Sequence, residues 1–108
     1  MMSLLQVNSS NFDAEVLQHD GLVLVDFFAP WCGPCMSLLP TIEEAAKNYD
    51  GKCKIVKVNV DDSQEVAMKY GIMSIPALKM FNKGELIDEK MGALPAADLS
   101  AWIDGLIG

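Results

Sequence analysis

The chain has 108 residues, with 15 acidic side chains against 8 basic ones, all lysine, and a formal net charge of −7. At this length, and with 51% hydrophobic residues, one compact domain spanning 1–108 is expected, which excludes a disordered chain and a disulfide-stapled miniprotein. An acidic balance without arginine argues against nucleic acid. No apolar run is long enough to span a bilayer, so no membrane role is expected.

The start, Met1-Met2-Ser3-Leu4-Leu5, has neither the basic region nor the apolar length of a signal peptide. A cytoplasmic, reducing compartment is therefore expected. Leu4 to Val7 is a candidate added strand. Ser9-Ser10-Asn11 is a helix-start cluster, and Phe12, Val16 and Leu17 form a short apolar stripe ended by Gly21. Leu22 to Ala29 (LVLVDFFA) reads as a strand buried on both faces. Pro34 suits the first turn of a helix carrying Leu38, Ile42, Ala45, Ala46 and Tyr49, with Pro40 inside it as a bend and Asp50-Gly51 as its stop. Cys53 to Val60 is the next strand. Asp62 with Glu65 resembles a capping arrangement for a short helix through Tyr70, closed by Gly71. Ala77 to Phe81 and Glu85 to Met91 flank a hairpin signal, Asn82-Lys83-Gly84. Pro95 opens a last helix with Leu99, Trp102, Ile103 and Leu106 on one face. The alternation predicts an α/β fold, a mixed sheet with helices on both faces.

The chemistry concentrates in Trp31-Cys32-Gly33-Pro34-Cys35. A C-x-x-C pair that follows a buried strand and opens a helix is in the setting of a redox couple. Its two cysteines face the same way, close enough for a disulfide, but so small a ring is a poor structural staple. Free N–H groups and the positive end of the helix dipole favour a thiolate at Cys32, the exposed nucleophile, with Cys35 shielded one turn inward as the resolving thiol. A structural zinc site would need four ligands, and only Cys53 and His19 remain, so no metal is expected. Asp26 interrupts the buried run. Burial would raise its pKa toward neutrality and make it a general acid/base near Cys35, unless it is neutralised structurally by lysine, for which Lys57 on the next strand is the candidate. Cys53 reads as a small buried hydrophobe and His19 as a surface residue.

The segments VDFFAPWCGPC (25–35), Pro40, KVNVDD (57–62), YGIMSIPAL (70–78), FNKGE (81–85) and Gly92 resemble the thioredoxin family over essentially the full length. The resemblance implies the thioredoxin fold, a central five-stranded mixed sheet flanked by four helices. It implies that Cys32 and Cys35 cycle between dithiol and disulfide around Gly33 and Pro34, with Asp26 assisting Cys35 and Lys57 tuning Asp26. It also implies a cis peptide bond between Ile75 and Pro76, and a docking rim for protein substrates formed by Trp31, Met73, Ile75, Pro76, Gly92 and Ala93. For Met73 a core position remains an alternative. Three positions depart from the family's common residues: Phe28 for tryptophan, Met36 for lysine and Ala77 for threonine. None is expected to touch a cysteine or Asp26, so they are expected to bear on reduction potential and partner preference.

The resulting expectation is a monomeric protein-disulfide reductant that works through a mixed disulfide. Its dithiol would be regenerated by a thioredoxin reductase, either an NADPH-dependent flavoprotein or a ferredoxin-linked enzyme. No cofactor is expected, since there is no G-x-G-x-x-G or metal cluster. The rival readings are an electron donor dedicated to one enzyme and a thioredoxin-fold binding or assembly subunit with dispensable cysteines.

Overall fold

The structure is a computed structural model and describes residues 4–107. Leu22–Phe28 (β2) is apolar on both faces apart from Asp26, so it needs a strand on each side and helices on both faces. It lies at the centre of a five-stranded sheet with β1 (Leu5–Val7), β3 (Lys54–Asn59), β4 (Ala77–Asn82) and β5 (Glu85–Met91), in the order β1-β3-β2-β4-β5. The β1–β3 and β3–β2 pairs are parallel, and the β2–β4 and β4–β5 pairs are antiparallel. The mixed five-stranded sheet expected for the family is therefore present, and the added strand near the start of the chain forms one edge.

The helices divide between the faces by the alternation of strand side chains. Leu38, Ile42 and Ala45 of α1 (Gly33–Asn48) and Leu99 and Ile103 of α3 (Ala96–Ile107) pack with Leu24, Ile55, Leu78 and Met80. On the opposite face Phe12, Val16 of a helical turn (Asp13–Leu17) and Val66 of α2 (Gln64–Lys69) cover Val23, Val25, Phe27, Val56 and Val58. Each fully buried aliphatic side chain here contributes about 2 kcal/mol of transfer free energy. Tyr70 and Phe81 stack edge-on, with ring centroids 5.3 Å apart. The Tyr49 hydroxyl donates to Asp104 Oδ1 at 2.7 Å, tying the end of α1 to α3.

Three local expectations need correction or completion. The first helix is a single π-helical turn, in which the Gln18 N–H donates to Asp13 O at 2.9 Å. Lys54 Nζ takes the Glu15 carbonyl at 2.8 Å, so that oxygen is held by a lysine on β3 instead of extending the helix. The cap of α2 is Ser63 rather than Asp62. Its side chain makes no cap hydrogen bond, because the hydroxyl donates to Asp62 Oδ1 at 3.0 Å, so the expected capping box does not form. Pro40 lies inside α1 without ending it. It is exposed, so water can serve the carbonyl its ring leaves without a partner.

The β4–β5 hairpin turns on Lys83 (φ 52°) and Gly84 (φ 81°), the two consecutive left-handed residues of a type I′ turn. Gly84 also abuts the chain opposite, and a β-carbon there would lie 2.4 Å from the Leu17 carbonyl oxygen. Gly84→Ala therefore combines backbone strain with a collision against main chain. It is expected to destabilise the protein by about 2–4 kcal/mol, read as a lowered urea midpoint, whereas Lys83→Gly should cost far less.

Candidate active site

The C-terminal end of β2 passes through Ala29-Pro30-Trp31 into α1, and Cys32 occupies the cap position at the junction. Its backbone is extended (φ −88°, ψ 108°), as a cap residue requires, and Pro34 follows within the first turn. The Cys32 N–H donates to Ala29 O at 3.1 Å, and the Met36 N–H donates to Cys32 O at 3.0 Å. The Cys35 N–H donates to Cys32 Sγ at 3.2 Å. The sulfur thus takes the role that a serine or aspartate oxygen plays at other helix starts.

Cys32 and Cys35 are joined by a disulfide with Cα atoms 5.2 Å apart. They share a small apolar cluster with Phe28 and Ala29, against which Val60 and Ile75 pack, so the expectation that Phe28 stands clear of the cysteines is corrected: the end of β2 runs directly into their loop. Cys35 is fully buried. Cys32 keeps only 6% of its surface, so the expectation of an exposed sulfur is too strong. Phe28 and Ile75, in the same cluster, cover part of Cys32.

Asp26 is fully buried, and among the described residues neither carboxylate oxygen has a hydrogen-bond partner. By strand alternation it shares the α1 face of the sheet with Leu24, which meets Leu38 and Ile42, and with Phe28, which meets the cysteines. Removal from water pushes its pKa from 3.8 up to about 7, with the positive charge of Lys57 pulling in the opposite direction. Lys57 is its register neighbour on β3, yet the two form no ion pair. The Lys57 ammonium instead sits 5.5 Å from the centre of the Phe28 ring. The aromatic residue that departs from the family's common tryptophan therefore holds the lysine beside the carboxyl.

The Ile75–Pro76 peptide bond is cis. The Ile75 carbonyl oxygen lies 3.9 Å from Cys32 Sγ. Pro76 itself is buried, and its carbonyl accepts from the Gly92 N–H at 2.9 Å, bringing Gly92 and Ala93 to the same place. Trp31 and Ala93 are exposed, Ile75 and Gly92 are half-buried, and Met73 is 93% exposed, which excludes the core alternative for that methionine.

Two contributors were not singled out in the sequence. Asp61 accepts a hydrogen bond from Trp31 Nε1 at 2.8 Å, orienting the exposed indole, and Val60 packs on both the cysteine cluster and the main core. Both lie in the KVNVDD segment, whose hydrophobic pattern marks a strand end but not which residues meet the cysteine loop. Cys53 is free and buried at the opposite end of the sheet, next to the start of β3, and burial raises its thiol to about 11. Among the described residues no cluster of three or more His, Cys, Asp or Glu could hold a metal ion, and no helix is long and apolar enough to cross a membrane.

The thioredoxin family model matches residues 3–105. Thioredoxin 1 of Nostoc sp. is 48% identical over 104 residues, covering 96% of this chain and 97% of that protein. The thioredoxin of Pyropia yezoensis is 43% identical over 106 residues, covering 98% and 99%. That of Pseudomonas aeruginosa is 41% identical over 104 residues, covering 96% of each chain. With a cysteine pair capping the helix that leaves a central strand, and with relatives matched along nearly their whole length, the chain belongs to the thioredoxin family and is a thiol-disulfide oxidoreductase.

Proposed function

We propose that the protein is a general protein-disulfide reductant in which Cys32 is the nucleophile, Cys35 the resolving thiol and Asp26 the general acid/base. The observation that carries this reading is the Cys35 N–H directed at Cys32 Sγ from the first turn of α1. In the reduced protein that donor and the helix dipole favour a thiolate on Cys32. The thiolate attacks one sulfur of a partner disulfide, the other partner sulfur leaves as a thiolate, and a mixed disulfide forms. Cys35 then gives its proton to the Asp26 carboxylate and attacks Cys32 Sγ. The partner's second sulfur departs, and the Cys32–Cys35 disulfide remains. A carboxyl with a pKa of about 7 is matched to this task, because it is available in both protonation states near neutrality. Lys57 is a positioning residue that limits how far that pKa rises.

Trp31, Met73, Ile75, Pro76, Gly92 and Ala93 form the docking rim in this reading, with Ile75 offering main-chain pairing to an extended substrate segment beside the sulfur. Family membership implies a reductase and disulfide-bearing proteins as partners. We assign the reductase to the NADPH-flavoprotein or ferredoxin-linked type, and the working form to a monomer in the cytoplasm. The electrons are carried by the two cysteines, without a bound cofactor.

Insulin reduction with dithiothreitol tests the activity, and a folded protein without turnover would refute it. Cys35→Ser is expected to accumulate a mixed disulfide visible by mass spectrometry; the reading of Cys32 as nucleophile fails if none forms. Asp26→Ala is expected to slow substrate release more at neutral than at alkaline pH, where Cys35 ionises unaided, and a pH-independent effect would contradict the base role.

Asp26 also links stability to pH. Its carboxyl holds a proton more tightly in the folded protein than in the unfolded chain. Stability therefore falls as pH rises from about 4 to about 7, by a total on the order of 4 kcal/mol, and levels off above. Asp26→Ala removes this slope. The difference in urea midpoint between variant and parent should move in the variant's favour from pH 5 to pH 8.

A further inference from the structure

Three exposed methionines lie on segments that lead to or from the disulfide loop. Met36 follows Cys35 in the first turn of α1 and is exposed. Met73 stands two residues before Ile75, whose carbonyl oxygen lies 3.9 Å from Cys32 Sγ. Met91 ends β5, pairs with Ala77 and is 59% exposed. Met73 and Met91 line one groove of about 470 Å³ together with Tyr70, Ile72, Ala77 and the Lys79–Glu89 ion pair. Met80, on the neighbouring strand, is fully buried. An exposed thioether is apolar and adaptable, which suits a surface that docks varied partners, but its sulfoxide is polar and stays polar in a desolvated contact.

We propose that Met73 and Met91 are modification sites, and that their oxidation to sulfoxides by a hydroperoxide weakens the docking of protein disulfides at this groove. In each step the methionine sulfur attacks one peroxide oxygen. The O–O bond breaks, an S–O bond forms, and the second oxygen takes up the proton of the transferred one and leaves as an alcohol, or as water when the oxidant is hydrogen peroxide; sulfur loses two electrons and the peroxide gains them. In the disulfide form Cys32 and Cys35 carry no thiol to compete for the oxidant. The third cysteine is sealed at the far end of the sheet, with a thiol that stays protonated at neutral pH. The response to peroxide is thereby moved from the cysteines to these two methionines, whose chain neighbours Ile75 and Gly92 meet the disulfide and Pro76. This rests on the docking reading above.

The disulfide form is treated with hydrogen peroxide, the sulfoxides are located by peptide mass spectrometry, and the protein is then reduced with dithiothreitol and freed of reagents. Met73 and Met91 are expected to oxidise well before Met80. The KM for insulin should then rise about fivefold, while the single-turnover rate with the small disulfide dithiobis(nitrobenzoate), which has no segment to dock, is unchanged. In the double variant Met73→Leu, Met91→Leu, peroxide should no longer move whatever KM the variant shows. The proposal is overturned if KM is unmoved with both sulfoxides formed, or if the leucine variant shifts as the parent does. A Met73→Glu, Met91→Glu variant separates the two levels. If it leaves KM unchanged, the groove does not dock substrates and both readings fall; if it raises KM while the sulfoxides do not, only the switch falls.

Discussion

The hydrogen bond from the Cys35 amide to the Cys32 sulfur depends on a junction: the central strand must end where the N-terminus of α1 begins. β2 has partners on both sides, so its end is fixed by two neighbouring strands. Leu38, Ile42 and Ala45 fix the direction of α1 by packing it over the same sheet. With both elements held, the sulfur of the cap residue must meet the unpaired amides at the helix start. A cysteine pair on a free loop would have the same spacing but no such donors. The reactivity of the site is therefore a consequence of how a strand and a helix are joined, and the rest of the molecule serves to hold that joint.

The same arrangement explains why a carboxyl can stay buried without a partner. Asp26 lies one alternation back from Phe28 on the face that α1 covers, so water is excluded by the packing that positions the cysteines. An ion pair with Lys57 would lower the pKa of the carboxyl and make it a poor acceptor for the Cys35 proton in the proposed mechanism. The lysine is held instead over the Phe28 ring, near enough to limit the rise in pKa without closing a salt bridge. Stability at neutral pH is thus lowered at the group to which we assign the proton transfer, as is common where burial and function coincide.

The surface around the disulfide is set mostly by what is missing. No arginine exists in the chain, and Met36 stands where the family commonly has lysine, so the proposed docking rim consists of apolar side chains and main-chain groups. Trp31 is oriented by Asp61, and Met73 projects almost wholly into solvent. Such a surface adapts to many shapes and gains little from long-range charge steering, in keeping with a reductant that meets varied partners. Phe28 and Met36 act on different parts of the site, the first through Lys57 and the second at the helix start.

The sequence by itself determined the strands and the long helices, because their apolar periodicity reflects burial that each segment needs whatever its neighbours are. It also determined the redox pair, since C-x-x-C between a buried strand and a helix start has a local meaning, and it marked Asp26, because one charge in LVLVDFFA is conspicuous. Tertiary structure decided the rest. Whether Lys57 pairs with Asp26 or rests on Phe28 depends on side chains from two strands. The role of Asp61 depends on an indole thirty positions away, and the near-burial of Cys32 on Phe28 and Ile75 approaching it from two other elements. The π-helical turn and the unformed capping box at Ser63 follow from competing hydrogen-bond partners, Lys54 and Asp62, against which local propensity is too weak. Periodicity records how much of a segment is buried, but not which atoms it is buried against, and the chemistry of this site resides in those contacts.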